Sequence, residues 1–118
     1  MPALNFRKEF AEMVRSGRKR QTIRAYRKDG RDPKVGDTLY LYVGMRTKGC
    51  RLLGEHKCTS VEGIALGSNG RMYTKHGRVE IEREDDVAER DGFASFDEMV
   101  AWFRKVHGLP FDGLLIRW

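Results

Sequence analysis

The sequence predicts an α+β domain in which short strands form a small β-barrel and helices accompany it. Three observations carry that prediction. Short alternating or β-rich runs are separated by breaks containing glycine or proline, the spacing of a small barrel. Two stretches, one early and one late, repeat apolar residues at helical period. The 118-residue length fits one domain, large enough for a hydrophobic core without disulfide staples, so residues 1–118 are read as a single domain with no repeat or linker.

Each element follows from local pattern. Phe6, Phe10, Met13 and Val14 fall at offsets 0, 4, 7 and 8, one face of a helix. Gly17 stops it, and Arg15, Arg18 and Lys19 suit the negative pole of its dipole. From Gln21 to Tyr26 the chain alternates, with Thr22, Arg24 and Tyr26 on one face and Ile23 and Ala25 on the other. Pro33-Lys34-Val35-Gly36-Asp37 has turn composition and leads into a half-buried strand, Thr38 to Val43, where Leu39, Leu41 and Val43 alternate with Thr38, Tyr40 and Tyr42. A basic connection, Gly44 to Gly49, precedes a strand-like region from Cys50 to about Leu66. Gly67-Ser68-Asn69-Gly70 breaks the chain, and short strands at Arg71 to Thr74 and Arg78 to Ile81 pair as a hairpin around Lys75, His76 and Gly77. The acidic segment Glu82 to Asp91 reads as a short helix that runs into Gly92-Phe93. Ser95-Phe96-Asp97-Glu98 is a capping box, opening a helix whose Phe96, Met99, Val100, Phe103 and Val106 belong to the core. Gly108-Leu109-Pro110 stops that helix, and Gly113 to Trp118 reads as a closing strand.

Net charge is +6 but unevenly placed. Residues 1–51 carry 14 Lys/Arg against 5 Asp/Glu and residues 52–118 carry 9 against 12, so the halves stand at +9 and −3. The basic half is the candidate binding face, and the asymmetry favours a polyanion or nucleotide partner. Cys50 and Cys58 have seven residues between them, unlike the paired spacings of zinc ribbons and fingers, so both are read as buried thiols and no metal or other cofactor is expected. Unpaired thiols, the lack of a hydrophobic signal core in Met1 to Phe10, and no apolar run near ~18 residues predict a cytoplasmic chain without a membrane segment.

The chemistry concentrates in Gly17-Arg18-Lys19-Arg20-Gln21-Thr22-Ile23-Arg24, which packs four cations around one hydroxyl where helix meets strand. Cations this crowded repel one another unless an anion lies nearby, which marks an anion-reading site and, through the hydroxyl, a candidate reactive one. In a continuous strand Lys19 and Thr22 point to opposite faces. A bend at Gly17 folds the lysine stem back over the hydroxyl. The bland alternatives are a solvated helix terminus for the cations and an ordinary β-branched strand residue for Thr22.

This pattern resembles the ASCH family, small domains similar to PUA RNA-binding domains. The likeness rests on the Gly-x-Lys-x-x-Thr-x-Arg motif at Gly17, Lys19, Thr22 and Arg24, the Gly36-Asp37 turn, and Asp91-Gly92-Phe93 before the last helix, in the family's order. It implies a mixed β-barrel of about five to six strands with two or three helices over its ends, and a basic cleft facing RNA or a modified nucleoside or nucleotide. Some bacterial ASCH proteins are amidohydrolases that remove the acetyl group from the exocyclic nitrogen of acetylated cytidine, using a lysine, a threonine and a glutamate. Lys19 and Thr22 match the first two; the third falls on Asp91, one methylene shorter, with Glu89 as the fallback acid. By that analogy Thr22 is the nucleophile and Lys19 its base, its ammonium form disfavoured by the proximity of Arg18, Arg20 and Arg24 and by burial. Arg24 or turn amides then hold the oxyanion.

Outside the motif, Tyr26, Tyr40 and Tyr42 either stack on bases or fill half-buried barrel positions, while Arg46 and Lys48 either extend the cleft toward a phosphate or keep a hairpin tip soluble. Trp102 and Trp118 are assigned to packing. The expected function is binding of RNA or a modified nucleoside through Arg18, Arg20, Arg24, Tyr26, Arg46 and Lys48. Deacetylation by Lys19, Thr22 and Asp91 is the enzymatic alternative, and a protein-interaction module is the second.

Overall fold

A strand that the sequence pattern hides comes first. In a computed structural model that describes residues 2–118, Ala3–Phe6 forms β1, with Leu4 and Phe6 turned inward. Phe6, expected on the first helix, is therefore a strand residue; its helical spacing to Phe10 is coincidental, because Arg7 is extended and the helix begins after it. Helix α1 spans Lys8–Ser16, buries Phe10, Ala11 and Val14, and ends at Gly17, whose φ of 85° is the left-handed conformation that glycine adopts without steric cost.

Strand β2 is Gln21–Ala25 and β3 is Thr38–Val43, the latter burying Leu39, Leu41 and Val43 in strict alternation. The region expected as one strand from Cys50 is two, β4 at Arg51–Lys57 and β5 at Ser60–Leu66. The division is made by hydrogen bonding. Cys58 donates to the Asp37 carbonyl and accepts from Gly36, each at 2.8 Å, whereas the next residue, Thr59, donates to the Arg117 carbonyl at 2.9 Å. The chain changes sheets within one residue. Strands β6, Met72–Thr74, and β7, Gly77–Arg78, make the expected hairpin with a shorter second arm, since Ile81 opens helix α2, Ile81–Arg90. Helix α3 is Phe96–Val106, and the Ser95 hydroxyl accepts from the Glu98 amide at 3.1 Å as the capping box requires. Phe111–Arg117 is β8.

The result is an α+β domain of three helices and two sheets. One sheet has the order β1-β3-β4, with β1 parallel to β3; the other has the order β2-β8-β5-β6-β7 and is antiparallel throughout. Among the described residues eight strands replace the five to six expected, and no ladder closes the two sheets into one barrel. Strand β8 separates two cores. Leu114, Ile116 and the following Trp118 pack with Leu4, Leu39 and Leu41, while Phe111 and Leu115 pack with Val87, Met99 and Phe103. Cys58 is buried in the first of these cores, but Cys50, expected to be buried, is exposed beyond the β3–β4 turn. Among the described residues no helix is long and apolar enough to cross a membrane.

Candidate functional site

The left-handed turn at Gly17 brings the Lys19 amide back to donate to the Met13 carbonyl at 2.9 Å. That reversal sends the Lys19 side chain inward, where only 2 % of the residue is exposed. In β2, Thr22 and Arg24 pair with Ile116 and Leu114 of β8 and share one face of the strand. Helix α2 ends at Asp91, which is also buried. Lys19, Thr22, Arg24 and Asp91 thereby line one cleft of about 160 Å³, closed by the rings of Phe6, Phe10, Phe93 and Trp102.

Within the cleft the pairing differs from the sequence expectation. Lys19 Nζ does not close on Thr22. It donates to the Asp91 carbonyl at 2.6 Å and stands 3.1 Å from Asp91 Oδ1, with the Phe10 ring centroid 5.0 Å away. The backbone of Asp91, as well as its carboxylate, is a partner of the amine. Gln21 adds a second donor to the carboxylate, its Nε2 reaching Val87 O at 2.9 Å and Asp91 Oδ1 at 3.3 Å. The Thr22 hydroxyl accepts from Arg24 Nε at 3.0 Å. Arg24 Nη2 donates to the Asn5 carbonyl at 2.7 Å, and the guanidinium lies 4.7 Å from the Phe6 centroid.

Burial sets the electrostatics. It pushes the Lys19 ammonium below the ordinary lysine range, Asp91 opposing and Arg24 assisting. It pushes the Asp91 carboxyl up, with Lys19 as the chief opposing influence. Arg24 is drawn down to about 10, again by burial first. His107, at the rim, is lowered below the ordinary histidine range by partial burial first and then by Arg7 and Arg24. Of the three arginines expected to act on Lys19, Arg24 is the one whose charge reaches it.

Other expected site residues lie elsewhere. Arg18 and Arg20 line a separate groove with Arg90 and Arg117, and Arg20 Nε donates to the Trp118 carbonyl at 3.0 Å. Tyr26 falls after the last residue of β2, exposed, with its hydroxyl over Gly63, so it does not line the cleft. Glu89 is exposed on α2 and outside the cleft; Asp91 is the acid the fold brings in. Arg46 and Lys48 are exposed on the β3–β4 turn. Conversely, Asn5, Gln21, Phe93 and Trp102 belong to the site or its support and were not singled out for it. Trp102 carried a signal: three residues after Met99 and one before Phe103, it sits at the edge of the apolar stripe of α3, where a ring faces both core and opening. Among the described residues no group of His, Cys, Asp and Glu is arranged to hold a metal ion.

Comparison with family models, curated proteins and solved structures gave no match.

Proposed function

We propose that the cleft binds one nucleobase, presented by RNA or by a modified nucleoside, in a domain of the ASCH kind with its PUA-like barrel. The observation that carries this reading is the convergence of Lys19, Thr22, Arg24 and Asp91 beneath aromatic rings in one small hollow. At about 160 Å³ the cleft lies below the ~300–1,000 Å³ of pockets for drug-sized ligands. It suits a planar ring or an acylated amine better than a whole nucleotide. Phe93 and Trp102 give the cleft aromatic walls, Trp102 with the Arg7 guanidinium 5.4 Å from its ring centroid, while the amine, hydroxyl, guanidinium and carboxylate read polar edges. Calorimetric titration with cytidine and acetylated cytidine tests it: binding that weakens at least tenfold in Arg24→Ala supports the cleft, and equal binding by the variant removes it.

A second reading, hydrolysis of the acyl amide of an N-acetylated cytidine, is favoured by one observation: a buried amine of lowered pKa shares the cleft with a threonine hydroxyl. In that reaction Thr22 Oγ attacks the acyl carbon and the unprotonated Lys19 amine takes the hydroxyl proton. Arg24 faces the developing oxyanion. Collapse expels the cytosine amine, which receives the proton from Lys19, and water then hydrolyses the acyl-threonine to release acetate. Acetate release abolished in both Lys19→Ala and Thr22→Ala is the expected outcome; turnover retained in either variant refutes the mechanism. The remaining alternative, a protein-interaction module, predicts neither nucleoside binding nor acetate release.

A further inference from the structure

We propose that the ligand is a polynucleotide strand whose phosphates, next to the base in the cleft, run through a second groove held by Arg7, Lys8 and Arg51. The inference rests on the nucleobase reading of the cleft and names the form in which the base arrives.

Continuity is the first reason. A groove of about 680 Å³ lies between α1 and the β3–β4 turn and shares Asn5, Phe6 and Arg7 with the cleft, so the two open into one track. The groove is roughly four times the cleft's volume and has room for the backbone on which such a base is carried. Charge is the second. Arg7, Lys8 and Arg51 line it and no carboxylate does. Glu12, whose carboxylate feels Arg51, is taken up by Arg15, with Nε at 2.9 Å. A hollow of similar size, about 650 Å³, beside residues 27–38 shows what a self-neutralised surface looks like: Arg27, Arg31 and Lys34 alternate there with Asp29, Asp32 and Asp37. The groove of Arg18, Arg20, Arg90 and Arg117 also has no carboxylate in its lining, but it shares no residue with the cleft. The groove of Arg7, Lys8 and Arg51 offers its cations next to the base, which is where a phosphodiester backbone would meet them.

The third reason is mechanical. Asn5 fastens the groove to the site: its Oδ1 accepts the Met45 amide of the turn at 3.0 Å, and its carbonyl accepts Arg24 Nη2 at 2.7 Å. On the same turn Arg46 has a φ of 67°, a left-handed conformation uncommon for a residue with a side chain. Met45, Thr47 and Gly49 of that turn line the groove, whereas Arg46 and Lys48 do not. A peptide of acidic residues alone would meet the cations, but it has no planar ring to place among Phe6, Phe93 and Trp102.

The test is fluorescence anisotropy with a labelled single-stranded pyrimidine oligoribonucleotide of about ten residues, for the wild-type chain and Lys8→Ala/Arg51→Ala, across 50–200 mM salt. Both residues are exposed, and circular dichroism checks that the variant is folded. Loss of two phosphate contacts shrinks the slope of log affinity against log salt by about 1.4. The expected result is that change together with at least a tenfold loss of oligonucleotide affinity, a larger loss than calorimetry shows for cytidine. An unchanged slope and affinity overturns the proposal. So does a polyglutamate peptide that competes as well as the oligonucleotide, which would make the groove a site for acidic protein. If cytidine binds and the oligonucleotide binds no tighter, the strand is refuted while the base cleft stands; if neither binds, the cleft reading fails as well.

Discussion

Replacing Asp91 by asparagine removes one charge and little else. The side chain keeps an oxygen where Oδ1 lies 3.1 Å from Lys19 Nζ, and the backbone carbonyl at 2.6 Å is untouched. Lys19 is 2 % exposed, so water does not replace the lost charge. Orphaning one member of a buried pair costs ~3–5 kcal/mol. Proton loss sets the ceiling: with an ordinary lysine value of 10.5, neutralising the amine at pH 7 costs about 4.8 kcal/mol at 1.36 kcal/mol per pH unit. Without Asp91 the folded Lys19 falls further below 10.5, the unfolded chain binds more protons, and the variant gains on the wild type as pH rises toward that value. The expected deficit is therefore about 3–4 kcal/mol at pH 7, shrinking by up to about 2.7 kcal/mol at pH 9. Urea unfolding followed by the fluorescence of Trp102 and Trp118 measures both; with a slope of about 1–3 kcal/mol per molar, the midpoint moves by roughly a molar or more at pH 7. A deficit below about 1 kcal/mol, or one that stays constant to pH 9, refutes the account of the pair. Lys19→Met/Asp91→Leu, which removes both charges, is expected to unfold near or above the wild-type midpoint.

Further outcomes follow from the same structure. If Lys19 is the base for Thr22, acetate release climbs with pH and levels below 10.5, and a profile flat from acid pH upward removes that role. Glu84, fully buried, pairs with Arg71 and accepts the Met72 amide at 2.9 Å; Glu84→Ala orphans both and is expected to cost about 3 kcal/mol in chemical denaturation. Ser95→Ala removes the acceptor for the Glu98 amide and is expected to cost about 1 kcal/mol, with Ser95→Asn restoring most of it.

Much of the fold was legible because its signals are local. Gly17, the alternation of β3, the capping box at Ser95 and the apolar stripe of α3 each depend on neighbours within a few residues, and each appears where the pattern puts it. Strand β1 was hidden because four residues beside a helix carry no period of their own; it exists through its parallel ladder with β3. The break at Cys58-Thr59 was hidden for the same reason: both residues are ordinary in a strand, and only their partners in different sheets divide β4 from β5. The site divides likewise. The motif places Lys19, Thr22 and Arg24 within six residues, and they do share the cleft. That Asp91 rather than Thr22 receives the lysine, and that Gln21 steadies the carboxylate, depends on where α2 ends relative to β2, across some seventy residues of chain.

A buried ion pair is a weak way to gain stability, since apolar residues of similar volume do as well or better. Among the described residues two ion pairs hold a buried carboxylate, Asp91 with the buried Lys19 and Glu84 with the partly exposed Arg71, and their surroundings separate their roles. Glu84 is committed to structure: its carboxylate fastens α2 to β6 through Arg71 and the Met72 amide, and the Arg71 guanidinium rests 5.2 Å from the Phe96 centroid. Asp91 and Lys19 instead border open space, with a hydroxyl and a guanidinium on the same hollow. A left-handed glycine, a reversed backbone hydrogen bond and a buried glutamine hold them there. Stability alone gives no reason to keep two costly charges beside a cavity. Recognition or chemistry in that cavity does, which is why a variant that unfolds later than the wild type while losing its ligand would be the clearest sign of what the pair is for.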